Sequence, residues 1–289
     1  MSNRKRKALV DLLEDPDERI YLVIKQVIKA EGILIEPFLI EVLSTESSSG
    51  KQKIRAAEIL QAIRLESVTK ELLSWSSSSE KDLLKAIIAL NKLVDSTIDD
   101  ALILQRMEAL RKDIWLELND YQTAFEQVKI LNHMFFDVHG FECTESHKRE
   151  LAHLNIGTVL TEKKGNPLII GLIYSIIANW LELPIYGVDF PKIFILARMD
   201  ENNTALFSES ESEYGVLFYI NPIGNGIVFD EHEIRSFLKQ IEIEPERKFF
   251  EPTSNTTLIN RYLSAFEEAF EFNGDSTCLQ ALSQIKAIL

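Results

Sequence analysis

The segment Pro167 to Leu181, PLIIGLIYSIIANWL, is apolar on most sides of a helix and carries no charged residue. A helix without a polar face has to be covered all round, which marks a buried central helix and not a surface one. Its start is clearly signalled. Gly165 breaks the chain, Asn166 can cap the exposed N–H groups, and Pro167 suits the first turn, where its missing N–H costs nothing.

Beyond this helix the texture changes. Ile185 to Phe190, Ile193 to Arg198, Thr204 to Ser208 and Gly215 to Asn221 are short runs rich in β-branched and aromatic residues, and they are expected as strands. The runs Asp200-Glu-Asn-Asn203 and Gly224-Asn225-Gly226 supply turns. Helical spacing returns at Glu231 to Ile241, Leu258 to Phe272 and Thr277 to Ile288, and precedes the strands at Lys81 to Val94, Ala101 to Leu118 and Tyr121 to Asp137. Helices, then strands, then helices imply an antiparallel sheet beside a helical layer, an α+β fold.

From Lys7 to about Leu73 the pattern is helical with short polar breaks. Leu9-Val10-Asp11-Leu12-Leu13 is echoed thirty positions on by Leu39-Ile40-Glu41-Val42-Leu43, and Leu73 continues the leucine of that series. Ile20 to Ala30 and Ile54 to Ile63 follow as second helices, opened by Asp15-Pro16-Asp17 and Ser49-Gly50. Paired helices at this period resemble HEAT-type repeats, whose units bury their faces by stacking on neighbours; an ordinary helical bundle is the plainer alternative. The serine-rich stretches Ser44 to Gly50 and Ser74 to Ser79 are expected as loops. The resulting division is a repeat segment over residues 1–78, an α+β domain over 79–250 and a repeat-like helical segment over 251–289.

The formal net charge of −14 disfavours nucleic acid and anionic membrane surfaces as partners. No apolar run reaches the roughly 20 residues of a membrane span, and the first residues lack the apolar stretch of a secretion signal. Two cysteines, Cys143 and Cys278, are too few for a disulfide framework. The cytoplasm is the expected compartment. There is no glycine-rich phosphate loop, and no cofactor is expected.

Three segments together resemble the bacterial transglutaminase-like family of the SirB type. They are Leu131-Asn132 through Gly140-Phe141, Leu154-Asn155 through Gly165-Asn166-Pro167, and Tyr186-Gly187-Val188-Asp189-Phe190-Pro191. In that family the last resembles a strand reading Tyr-Gly-Val-x-x-Pro-Gly-His-Phe. The resemblance spans roughly Leu83 to Leu289 and implies a transglutaminase-like core, in which a Cys at the start of a buried helix is served by His and Asp from neighbouring strands. A helix N-terminus favours the thiolate, the imidazole moves the proton, and the carboxylate fixes the ring's tautomer.

This chain departs from that design at all three places. The helix start, Gly165-Asn166-Pro167-Leu168-Ile169-Ile170, has no Cys; Ile193 stands where the family's His would be; and Asn221, before Pro222, replaces Asp. An aliphatic side chain cannot move a proton, and an amide supplies no negative charge. The expectation is a domain with no catalytic residues of this kind, acting as a scaffold for a protein or peptide. Asn166, Pro167, Lys192, Ile193, Arg198 and Asn221 are expected to border the vestigial cleft, and the cations Lys192 and Arg198 there would favour a carboxylate or acidic peptide. The plainer reading of Arg198 is a salt bridge in a chain rich in acid.

Two alternatives stay open. His133, His139, Cys143, His147 and His153 fall close together, and Cys143 and His147 are spaced to share a helix face, as in some zinc sites; irregular spacing makes surface histidines the plainer reading, and no metal is expected. Cys143 could also act as the nucleophile of an amide- or peptide-bond enzyme, served by His139 or His147, if it approaches a helix start. The plainer reading is an unreactive thiol.

Overall fold

A computed structural model describes residues 1–95, 98–144, 150–200, 214–274, 276–287 and 289. The chain forms two compact units, one of residues 1–79, 89–97 and 275–289, the other of residues 80–88 and 98–274.

The first unit opens with α1 (Asn3–Asp11), α2 (Glu18–Glu31), α3 (Glu36–Ser44) and α4 (Gly50–Ser77), and α12 (Ser276–Lys286) belongs to it. Asp17 caps α2 and Ser49 caps α4, each side-chain oxygen accepting from a first-turn N–H. The helices share one core, with Val10, Leu13, Ile28, Ile35, Leu39 and Ile59 almost wholly buried. Arg55 is buried among them. Its guanidinium donates to the carbonyls of Leu13 and Asp15, pairs with Glu18, and lies 3.9 Å from the Tyr21 ring centroid. The serine-rich stretch near residue 77 corrects one expectation. It continues α4 through Ser77, because Ser77 and Ser78 hydroxyls donate back to the carbonyls of Leu73 and Trp75 and serve the helix end in place of a turn.

In the second unit α5 (Leu83–Asn91, the first six residues), α6 (Asp100–Trp115) and α7 (Ala124–Asn132) lead to a π-helical turn at His133–Val138. Helix α7 starts three residues later than the spacing suggests, since Thr123 and Glu126 form a reciprocal capping box there. Strands β1 (Glu142–Cys143) and β2 (Lys164–Gly165) pair in parallel on either side of α8 (Ile156–Glu162). The apolar helix is α9 (Pro167–Trp180), buried from Pro167 through Ala178. After it come β3 (Ile185–Val188), β4 (Ile195–Met199), β5 (Val216–Asn221) and β6 (Ile227–Phe229), an antiparallel sheet in that spatial order, then α10 (Glu231–Gln240) and α11 (Asn255–Asn273).

Pleating sends Val188, Ile195, Ala197 and Tyr219 to one face, where Ile234 and Leu238 of α10 complete a core with Phe190, Phe249 and Phe250. The alternate residues Ile185, Gly187, Leu196 and Ile220 take the other face. There the Ser175 hydroxyl of α9 donates to the Ile185 carbonyl at 2.8 Å. Strand β4 is therefore buried on both faces from Ile195 to Arg198. It begins two residues later than expected, because residues 191–194 form a tight turn with Lys192 at φ +69. The three-residue β6 escaped the sequence reading; too short to show alternation, it follows the expected turn at Gly224-Asn225-Gly226. The expected strand Thr204 to Ser208 lies outside the described residues. No described helix is long and apolar enough to cross a membrane.

One polar knot ties three parts of this unit. Asn132 at the end of α7 donates its amide to the Gly226 carbonyl at 2.7 Å, and the Tyr174 hydroxyl of α9 donates to Asn132 Oδ1 at 2.8 Å. Gly226 has φ +80, and a Cβ there would meet Asn132 Oδ1 at 2.0 Å, so no other residue fits without displacing the amide. Asn132→Ala leaves the Tyr174 hydroxyl and the Gly226 carbonyl without this partner. It should lower stability by about 2 kcal/mol, read as a shift of the urea midpoint at unchanged slope. Asn132→Asp, which keeps the acceptor, should lose less at a pH where it is protonated.

Candidate active-site groove

The start of α9 opens on a groove of about 240 Å³ lined by Asn166, Pro167, Leu168, Lys192, Ile193, Phe194, Ile223, Arg261, Ser264, Ala265 and Glu268. Four of the residues singled out in the sequence, Asn166, Pro167, Lys192 and Ile193, thus come together. Asn166 caps α9 by accepting from Leu168 N at 2.8 Å, while its own N–H donates to the His153 carbonyl. The turn at residues 190–193 is pinned by Arg261, whose guanidinium donates to the carbonyls of Phe190 at 2.6 Å and Ile193 at 2.8 Å. Asp189 lies 3.4 Å from the same guanidinium. Burial pulls the Arg261 pKa below its ordinary value, an effect that Asp189 opposes.

Phe194 forms the floor. A Cβ on Gly171 of α9 would lie 2.5 Å from its ring, and one on Gly187 of β3 would lie 3.0 Å from it. The ring therefore occupies the space that two glycines leave, and it fixes the distance between helix and strand.

Asn221 ends β5, and its Oδ1 accepts from Ile223 N at 3.0 Å, which holds the turn that places half-exposed Ile223 on the groove. Its side chain is thus engaged in a turn, a task that Asn and Asp both perform. Arg198 is placed otherwise than expected. Buried on β4, it donates to Gln127 Oε1 at 3.1 Å and to the Met199 carbonyl, and it is not among the residues lining the groove. The second cation of the groove is Arg261, which sequence reasoning missed. Its signal was the i, i+3, i+4, i+7 series Arg261, Ser264, Ala265, Glu268 on α11, four residues of one helix face that all line the groove.

Cys143 lies in β1, opposite Gly165 of β2, and not at a helix start. Its thiol donates to the Pro222 carbonyl at 3.4 Å, and burial, with a smaller contribution from Glu142, pushes its pKa up to about 12. The histidines around it go to separate carboxylates. His139 Nε2 is 3.5 Å from Asp113, His133 Nδ1 is 3.0 Å from Asp137, and His153 Nδ1 is 3.8 Å from Glu150. Burial lowers the His139 pKa, with Asp113 working against it. His147 lies outside the described residues. Among the described residues no group of three or more His, Cys, Asp or Glu could hold a metal ion. At neutral pH that raised pKa holds the Cys143 thiol in its protonated form, against a few per cent ionised for a free cysteine. In a Cys278→Ser background, Cys143 should react with iodoacetamide at pH 7.5 at least about tenfold more slowly than free cysteine, and at the free rate in denaturing urea. Mass spectrometry reads the difference.

The sequence profile of the transglutaminase-like superfamily matches residues 101–264, from α6 to the middle of α11. Protein SirB1 of Salmonella typhimurium is 28% identical over 170 residues, 57% of this chain and 57% of that protein. YchA of Escherichia coli K12 is 28% identical over 147 residues, 51% of this chain and 48% of that protein. The match thus spans about half the length of these relatives, and no solved structure matches. The profile match over more than half of the chain, which includes the buried helix and its sheet, places this chain in the transglutaminase-like superfamily, with relatives of the SirB type.

Proposed function

We propose that this protein is a transglutaminase-like scaffold that binds a protein or peptide segment in the groove at the start of α9 and performs no acyl transfer there. The observation behind this reading is the set of residues at the three positions where the family resemblance implies a triad. Asn166 caps the helix, Ile193 offers only aliphatic carbon, and Asn221 holds a turn. None of these groups supplies a nucleophile or moves a proton near neutral pH. The groove nevertheless keeps an open, mixed surface, with Asn166, Lys192 and Ser264 beside Ile193, Phe194 and Ile223. The N-terminal helices, with their resemblance to HEAT-type repeats, offer a second interaction surface under the same reading.

The test has two arms. With a glutamine-containing peptide and an amine, ammonia release should not exceed that of buffer; release that disappears in Cys143→Ala would restore the enzyme reading. In the second arm, a random-sequence peptide display library is selected on the wild-type protein. The enriched peptides should fail to bind Ala265→Trp, which fills the groove, while circular dichroism shows that variant folded. Peptides that bind both proteins alike would refute the groove as the site.

A further inference from the structure

Two cations edge the groove, and the chain holds them differently. Lys192 is exposed, lies on the left-handed turn at φ +69, and has no hydrogen-bond or ion-pair partner among the described residues. A lysine in that conformation costs about 1 kcal/mol that glycine would avoid, and the family pattern has glycine at this step. Nothing in the backbone calls for a long cationic side chain. Some lysines elsewhere are neutralised, Lys7 by Glu41, Lys25 by Glu58, Lys70 by Glu66 and Lys92 by Glu71, whereas Lys192, like Lys5 and Lys29, has no ion pair among the described residues.

Arg261 is fixed by two neutral carbonyls, with Asp189 at the longer distance of 3.4 Å. Carbonyls satisfy its N–H groups without cancelling its charge. The groove therefore presents an exposed cation, Lys192, and a fixed one, Arg261, whose charge Asp189 partly offsets, beside the apolar surface of Ile193, Phe194 and Ile223. Glu268 is the one acid among the lining residues, and it is exposed. The net charge of −14 does not decide what enters. At physiological salt its field is screened beyond roughly 8 Å, whereas both cations line the groove itself. A space of about 240 Å³ is smaller than the roughly 300–1,000 Å³ of pockets for drug-sized ligands, and it suits one or two side chains.

We infer that the groove takes a peptide segment in which an Asp or Glu side chain stands next to a leucine-sized apolar one, the carboxylate between Lys192 and Arg261 and the apolar group against Ile193, Phe194 and Ile223. This rests on the scaffold reading and adds the chemistry of the partner.

Fluorescence anisotropy with two labelled heptapeptides, Gly-Ser-Leu-Glu-Leu-Gly-Ser and the same peptide with Gln for Glu, tests it. The Glu peptide should bind about fivefold more tightly, the upper end for a solvent-exposed ion pair. Lys192→Ala should bring the two affinities together, Lys192→Arg should keep them apart, and 0.5 M salt should narrow the gap. Equal affinities on the wild-type protein, a ratio unchanged by Lys192→Ala, or no binding of the Glu peptide would each overturn the inference. Equal affinities that are both lost in Ala265→Trp would remove the charge selectivity and leave the scaffold reading standing. Binding untouched by Ala265→Trp would count against both.

Discussion

The second unit is built around a helix that cannot meet water. Twelve consecutive residues of α9, Pro167 to Ala178, are buried, and at about 2 kcal/mol for each buried Leu or Ile side chain their coverage is a large part of what holds the unit together. Full burial leaves few places for the polar groups of the helix. Its first N–H groups are served by Asn166, the Ser175 hydroxyl reaches a β3 carbonyl, and Tyr174 finds Asn132. The last two of these bonds also fix neighbours: β3, the end of α7, and through Gly226 the turn before β6.

The same constraint makes the groove. A covered helix still has an end, and around the start of α9 gather the turn at residues 190–193, the turn after β5 and one face of α11. In a transglutaminase-like fold this meeting point is suited to a thiolate served by an imidazole and an acid. Here the groups at those points hold structure. Cys143, which pairs in register with Gly165 just before the helix start, faces a carbonyl and is pushed by burial to about 12, the opposite of what a nucleophile needs. The groove there is lined by Lys192, Arg261 and Glu268 beside Ile193, Phe194 and Ile223.

How much of this was legible depends on the range of the forces involved. The central helix, its cap, the order of helices and strands and the capped starts of α2 and α4 follow from neighbours three or four residues apart, and they stand close to where the spacing puts them. Errors arose where side chains settle local competition. The serines near residue 77 extend a helix because their hydroxyls turn back on it, and residues 191–194 curl because Arg261, some seventy positions on, clamps their carbonyls.

By itself the sequence determined the α+β class, the buried helix and the identity of the residues at its start, since periodicity, composition and residue identity are local properties of the chain. Only the tertiary structure decided which cations share a groove. Arg198 and Lys192 are six positions apart, yet β4 carries the first beneath the sheet while the turn leaves the second in the open, and α11 brings Arg261 beside it. Charges act through space, and packing sets the distances between them.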